Sequence, residues 1–263
     1  MTWVVAALTV ALIVTVAWGL ERHSRLRRLG GPATPDPQTG TMIAHEMKNP
    51  LMAIKGLAAT GRRHYESMSE EERREFFELI NEEADRLISI IEQTAMAMRI
   101  EAGDVEYDLR PEPLAEVINE TLARAPLGKH PVSVEVEADP GLAVICDRER
   151  TVEVLESLLD NAAKFSPDVA PISVRAYRGD RSAVIEVADR GPGISPEERE
   201  RVFERYSSTR PRGYEGVPGA GLSLFIARAH ARAQGGSIRA DGAEGEGGTI
   251  LRLTLLLEVA STG

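Results

Sequence analysis

Ile43-Ala44-His45-Glu46-Met47-Lys48-Asn49-Pro50-Leu51-Met52-Ala53-Ile54-Lys55-Gly56-Leu57 is the stretch from which the rest of the chain can be read. Its residues Ile43, Met47, Pro50, Ile54 and Leu57 recur at intervals of 4-3-4-3, the seam of a helix that packs on another helix. A second helix is expected to start at Ser69, with Glu72 three residues on to complete a capping box. Its seam runs Phe77, Ile80, Ala84, Leu87, Ile91, Thr94 and Met98. Joined around Gly61, the two helices predict an antiparallel hairpin over residues 41–102. A lone hairpin buries one stripe per helix, so pairing of two hairpins into a four-helix bundle, and hence a homodimer, is the expected solution. His45 lies two residues from both Ile43 and Met47, about 200° around the helix from each, and should face water. Asn49 shares its face and Glu46 stands about 100° to one side. Pro50 lacks an N–H and clashes with the carbonyl of Glu46, loosening the backbone beside the histidine. Taken alone, a histidine on a polar helix face is an ordinary solvated residue.

Working outward to the N-terminus, residues 1–20 carry no charge. Twenty helical residues span roughly 30 Å, the thickness of bilayer hydrocarbon. Trp3 and Trp18 sit near the ends, and Arg22, Arg25, Arg27 and Arg28 follow, with no Lys or Arg before them. The positive-inside rule then predicts a single-pass anchor in the inner membrane over residues 1–21, with the catalytic part cytoplasmic and no external sensing domain. A cleaved signal peptide would want a basic start and a small-residue cleavage site, and neither is evident. Residues 22–40 hold the basic cluster and Gly30-Gly31-Pro32-Ala33-Thr34-Pro35-Asp36-Pro37, a helix-breaking linker.

Toward the C-terminus, Glu101-Ala102-Gly103-Asp104 interrupts the heptads and reads as a hinge, after which a second domain is expected over residues 103–263. Strands are predicted at Val132–Val136, Ala143–Cys146, Ile172–Tyr177, Ala183–Ala188 and Thr249–Leu257. Helices are predicted near Pro113–Arg124, Thr151–Lys164 and Leu222–Gln234. That order suggests a mixed sheet with helices on one face, an α/β sandwich. On the second of these helices Ser157, Asn161 and Lys164 form a polar row beside a core stripe of Val152, Leu155, Leu159 and Ala162.

The string His45-Glu46-Met47-Lys48-Asn49-Pro50-Leu51 resembles the H box of the sensor histidine kinases of bacterial two-component systems, with a HisKA-type hairpin and a GHKL/HATPase ATP-binding domain. The resemblance implies that His45 is the phosphoacceptor, that Glu46 polarises or deprotonates it, and that Asn49 positions water for dephosphorylating a response regulator. Ser157-Leu158-Leu159-Asp160-Asn161-Ala162-Ala163-Lys164-Phe165 resembles the N box, which implies that Asn161 holds Mg²⁺ on the ATP phosphates and Lys164 contacts them. Asp189-Arg190-Gly191-Pro192-Gly193 resembles the G1 box, with Asp189 accepting from the adenine amine and Gly191 and Gly193 allowing close approach. Val202-Phe203-Glu204-Arg205-Tyr206 resembles the F box, and Gly219-Ala220-Gly221-Leu222-Ser223-Leu224 the G2 box. The loop Ser207–Pro218 would then be a lid over the triphosphate. Three departures stand out: Ser157 replaces the first N-box asparagine, Ser223 the third G2 glycine, and Ser208 an arginine whose charge Arg205, Arg210 or Arg212 would have to supply.

Composition agrees. The chain has 263 residues, 43% hydrophobic and 27% charged, enough to bury a core in one or two domains. A net charge of −10 disfavours direct nucleic-acid binding, and the single cysteine, Cys146, excludes a disulfide framework and multi-thiolate metal sites. His23, His64, His130 and His230 enter no constellation, and Cys146 reads as a small core group. The expectation is a membrane-anchored kinase that uses ATP and Mg²⁺ to phosphorylate His45 and passes the phosphoryl group to a response-regulator receiver domain. A membrane partner protein, or an event at the dimer itself, would supply the input. The alternatives are a phosphatase-biased signalling scaffold, and an ATPase or serine kinase of the same superfamily.

Overall fold

The computed structural model describes the backbone from residue 37 to 258 except 138–140, 208, 210–213, 215–216, 218 and 243–246, with side chains from residue 42. The expected anchor and basic cluster, with the linker up to residue 36, lie outside the described residues. Among the described residues no helix is long and apolar enough to cross a membrane.

Two long helices, α1 (Pro37–His64) and α2 (Glu70–Ala102), form the expected hairpin. The box at the start of α2 is complete: the Ser69 hydroxyl accepts from the Glu72 N–H at 3.2 Å, and the Ser69 N–H donates to the Glu72 carboxylate at 2.6 Å. Those two bonds to Ser69 hold the Glu72 carboxyl below its ordinary value. The reversal falls later than Gly61, contrary to expectation. Helix α1 runs through Gly61 to His64, and a 3-10 turn at Tyr65–Ser67 reverses the chain. Gly61 serves packing instead, since a Cβ there would stand 2.8 Å from the Phe76 ring. The turn is fastened by the Ser67 hydroxyl donating to the His64 carbonyl at 2.8 Å and by Arg73 Nε donating to the Tyr65 carbonyl at 2.9 Å.

The seam of α2 also divides. The fully buried residues of α2, Ile90 and Ala97, lie outside the expected seam, of which Phe77 and Met98 remain 57% and 40% exposed. Heptad spacing identifies an apolar stripe but not which neighbour covers it.

The second layer follows the connector: β1 (Arg110–Pro113), α3 (Leu114–Arg124), β2 (Val132–Glu137), β3 (Ala143–Cys146), α4 (Arg148–Phe165), β4 (Ile172–Arg178) and β5 (Ser182–Ala188). A 3-10 turn at Arg201–Phe203, α5 (Ser223–Ala233), β6 (Ser237–Gly242) and β7 (Thr249–Leu256) complete it. The five-stranded sheet has the order β2-β4-β5-β7-β6, parallel only between β2 and β4. Strand β1 pairs with β3 in a separate antiparallel ribbon.

Alternation decides which face of the sheet is buried. Val174 and Ala176 of β4 stand opposite Val187 and Ile185 of β5, and these last two stand opposite Leu251 and Leu253 of β7. All are buried. Helix α4 covers β4, β5 and β7, α5 covers β6 and β7, and α3 packs on α4, giving the α/β sandwich. Each fully buried Leu or Ile here contributes about 1.5–3 kcal/mol over its exposed state, and Cys146 lies in the same core. Two strands were not expected. Pro111 and Pro113 disguise β1, tolerable because it bonds a single partner, and β6 follows Gly235-Gly236, which reads as a turn. Helix α4 begins at Arg148, earlier than expected, because Asp147 caps it by accepting from the Arg150 N–H at 3.1 Å.

Candidate active site

Because β5 and β7 are antiparallel neighbours, the end of β5 and the start of β7 meet at one edge. The C-terminal turn of α4 and the N-terminus of α5 reach the same edge. Together they wall a solvent-open cleft lined by Asn161, Lys164, Asp189, Ile194, Gly219 and Leu224.

Asp189 forms its floor and is 8% exposed. Its Oδ1 accepts from the N–H groups of Gly191 at 2.7 Å and Thr249 at 3.2 Å. Burial pushes its carboxyl up, and the bonds from Gly191 and Thr249 pull the other way. Gly191 is required by close approach: a Cβ would stand 2.5 Å from the Phe165 carbonyl oxygen and 2.9 Å from Asp189 Oδ1. Phe165 and Ile194 supply apolar wall beside the carboxylate. A flat heterocycle carrying an amine fits such a setting.

The opposite end is polar. Asn161 and Lys164 line it from α4. Asn161 Nδ2 donates to the Ser157 carbonyl at 2.6 Å, which leaves Oδ1 as the amide atom suited to a cation. Among the described residues no group of three or more His, Cys, Asp or Glu could hold a metal. One amide oxygen fits Mg²⁺ arriving with phosphate oxygens and its own waters, not a cation held in a protein cage. Lys164 bonds Asp160 one turn earlier and keeps its side chain 44% exposed. Gly219, Ala220 and Gly221 lead into α5, whose start has no side-chain cap, so its first N–H groups and positive dipole end face the cleft. Gly221 has φ +64°, and a Cβ there would meet the Ser207 carbonyl oxygen at 2.3 Å.

Of the residues expected at the nucleotide, the structure brings Asn161, Lys164, Asp189, Gly193, Gly219 and Gly221 to the cleft, with Gly191 behind its floor. Phe203, Arg205 and Leu222 do not line it. Phe203 is a 1% exposed core residue under the Arg228 guanidinium. Arg205 stacks on Tyr206 and pairs with Glu101 at the end of α2. Leu222 is buried in a cluster with Ile90, Ala97, Tyr206 and Ala220. The departed position Ser157 turns away as well: its hydroxyl is buried without a partner, beside a second cavity between α2, α4 and α5. Ser208, Arg210 and Arg212, with much of the expected lid, lie outside the described residues.

Sequence reasoning missed Gln93, a hairpin residue that lines the cleft, along with Thr249 and Glu198. Thr249 had a signal in the Gly247-Gly248 pair before it, but nothing local could have revealed Gln93.

On α1, His45 and Asn49 are exposed and Glu46 is half-buried. Ile43 and Met47 pack against the cluster containing Leu222, Phe225 and Ile226. That cluster also holds Ile90 and Ala97 of α2, and α5 of the catalytic domain packs on α2.

Residues 40–103 match the His Kinase A (phospho-acceptor) domain, and residues 146–259 match the histidine kinase-, DNA gyrase B-, and HSP90-like ATPase family. The structure of a mycobacterial sensor histidine kinase, MprB, is 33% identical and covers 57% of this chain and 99% of that one, with TM-score 0.50. Sensor protein KdpD of Clostridium acetobutylicum is 30% identical over 219 residues, 82% of this chain and 24% of that protein. Full-length ShkA in complex with AMPPNP has the same fold, at TM-score 0.59, 23% identity and coverage of 86% and 47%. The two matches define a chain that joins a histidine phosphoacceptor domain to an ATPase-type domain. The chain belongs to the sensor histidine kinases of two-component systems, and spans about a quarter of the length of KdpD.

Proposed function

We propose that this chain phosphorylates its own His45 from Mg·ATP and passes the phosphoryl group to an aspartate of a response-regulator receiver domain. The observation that carries this is the pairing of an exposed histidine on a helical hairpin with a cleft whose buried carboxylate and uncapped helix start suit opposite ends of a nucleotide. Asp189 accepts from the adenine amine. Lys164 and the α5 N–H groups take the phosphates, and Asn161 Oδ1 would hold Mg²⁺, whose chemistry there would be charge neutralisation. A neutral imidazole nitrogen of His45 attacks the γ-phosphorus, the bond to the β-bridging oxygen breaks and ADP leaves. Glu46 stabilises the positive charge that develops on the ring. Most of the rate would come from positioning and charge neutralisation. In the described arrangement α5 of the catalytic domain packs on α2, and transfer would need the domain to swing about the connector to bring the γ-phosphate to a His45.

Exposed Phe77, Leu51, Ile88 and Met98 favour a second hairpin as their cover, and hence a homodimer. Asn49, one turn from His45, would place water for dephosphorylating the regulator. The uncharged residues 1–20 support a single-pass inner-membrane anchor. A kinase-weak, phosphatase-biased dimer is favoured by one observation, the Ser157 hydroxyl turned away from the cleft.

The test is incubation with γ-labelled ATP and Mg²⁺. Acid-labile label on the wild type and none on His45→Gln is expected. No label on the wild type would leave only the phosphatase reading, and acid-stable label surviving in His45→Gln would overturn both.

A further inference from the structure

The connector between hairpin and catalytic domain is fastened at both ends. On the hairpin side, α2 closes at Gly103 in the left-handed region, at φ 72°. The Asp104 N–H then donates to the Arg99 carbonyl at 2.9 Å, and Arg99 Nη2 donates to the Asp104 carbonyl at 3.3 Å. On the domain side, Tyr107 Oη lies 2.8 Å from His230 Nδ1 with the two rings edge-on, and the Asp108 N–H donates to Asp147 Oδ2 at 3.0 Å.

The groups that receive the connector are rigid. His230 is fully buried and Gln234, one turn later, is 2% exposed. Gln234 Oε1 accepts from the Asp147 N–H at 2.7 Å and the Thr151 hydroxyl at 3.0 Å, and its amide nitrogen donates to the His230 carbonyl at 3.1 Å. Burial, assisted by the nearby Arg150 charge, lowers the His230 ring to about 4, so it is neutral at pH 7. A neutral ring accepts the Tyr107 hydroxyl at Nδ1 and carries its proton on Nε2, which faces Glu153 Oε2 at 3.8 Å. Between the two fastenings stand Val105 and Glu106. Among the described residues no hydrogen bond holds the backbone of either.

We propose that Val105–Glu106 is the whole pivot between the phosphoacceptor hairpin and the catalytic domain, and that Tyr107 and His230 are positioning residues that keep it this short. The inference rests on the kinase function proposed above. A two-residue tether confines the catalytic domain to few placements around the hairpin. The effective concentration of one domain at the other falls as a tether lengthens beyond its span. Transfer in line tolerates little misplacement. Freeing Tyr107 therefore dilutes the productive placements and leaves the nucleotide cleft, at the other end of α5, unchanged.

The experiment uses the full chain and three variants: Tyr107→Phe, His230→Asn and a Gly-Gly insertion after Glu106. Tyr107→Phe and the insertion are expected to lower the kcat of autophosphorylation by about 3–10-fold, with KM for ATP within about twofold. His230→Asn places an amide oxygen where Nδ1 stood, so it keeps the acceptor and should stay near wild type. Amide hydrogen exchange, which needs no activity, should show Val105 and Glu106 exchanging fast in the wild type. Asp108 should be protected in the wild type and lose that protection in Tyr107→Phe. A lowered unfolding temperature in Tyr107→Phe with unchanged kcat would mark a merely structural contact and overturn the proposal. Fast exchange at Asp108 in the wild type would also overturn it. Absence of label on the wild type would sink the kinase function, while the exchange measurement would still decide where the pivot lies.

Discussion

Asp189→Asn pulls apart two consequences of burying one carboxylate. Its Oδ1 is committed to the N–H groups of Gly191 and Thr249, at 2.7 and 3.2 Å. An asparagine oxygen can take both bonds, which sends the new NH₂ toward the place where the adenine amine would sit. A hydrogen bond to a charged acceptor, worth about 1.5–3 kcal/mol, is replaced by donor against donor. At about 1.4 kcal/mol per factor of ten, ATP affinity should fall by about 10–150-fold. Stability of the nucleotide-free protein should move the other way. Burial raises the Asp189 carboxyl above its ordinary value, so the folded state favours the protonated form. The stability this gives is present below the unfolded-state value and is lost as pH rises through the folded one. Once pH exceeds the folded value, the wild type has lost it and the uncharged variant has not. Isothermal titration with an ATP analogue should therefore show the weakened binding. Calorimetry should show a higher unfolding temperature for the variant at pH 7, with the two proteins converging in acid. Binding within about threefold of wild type, or a variant less stable by the same margin at every pH, would refute the assignment of Asp189 as a buried, adenine-facing carboxylate.

Three further outcomes are expected. Gly191→Ala forces a methyl against the Phe165 carbonyl oxygen, 2.5 Å away; overpacking of this kind costs about 1–3 kcal/mol, measurable by urea unfolding and accompanied by loss of nucleotide binding. Ser69→Ala removes the capping box and should cost about 0.5–2 kcal/mol in chemical denaturation, with ATP affinity unaltered. His230 titrates at about 4 when folded against an ordinary 6.5. The unfolded chain alone takes up that proton between these values, so stability should fall as pH drops from 6.5 toward 4, by up to about 3 kcal/mol from this residue. Tyr107, Glu153, Arg150 and Asp147 are the ionisable groups around the ring. In His230→Asn the acid slope of unfolding free energy should drop by up to one proton, and an unaltered slope would contradict the buried neutral ring.

Local patterns were legible because they are set by neighbours in the chain. Ser69 and Glu72 announce a helix start through bonds three residues apart, and period-two alternation in Ile172–Tyr177 and Ala183–Ala188 announces strands with one buried face. The site was legible to the extent that its pieces are contiguous motifs, as with Asp189 and Gly191 or Gly219 and Gly221. The reversal of the hairpin was misplaced because a glycine marks a turn in sequence statistics, whereas Gly61 exists for the Phe76 ring that packs on it.

By itself the sequence determined two helices with apolar stripes, an alternating sheet, and a histidine on the polar side of the first helix, since each follows from residue spacing against a fixed helical or strand period. Only the tertiary structure decided which neighbour covers each stripe. It placed Gln93 of the hairpin at the cleft, sent Arg205 to Glu101 and Leu222 to Ile90 instead of the nucleotide, and fastened Tyr107 to His230 across 123 positions. Contacts between residues so far apart depend on how whole elements pack, and no local period carries that information.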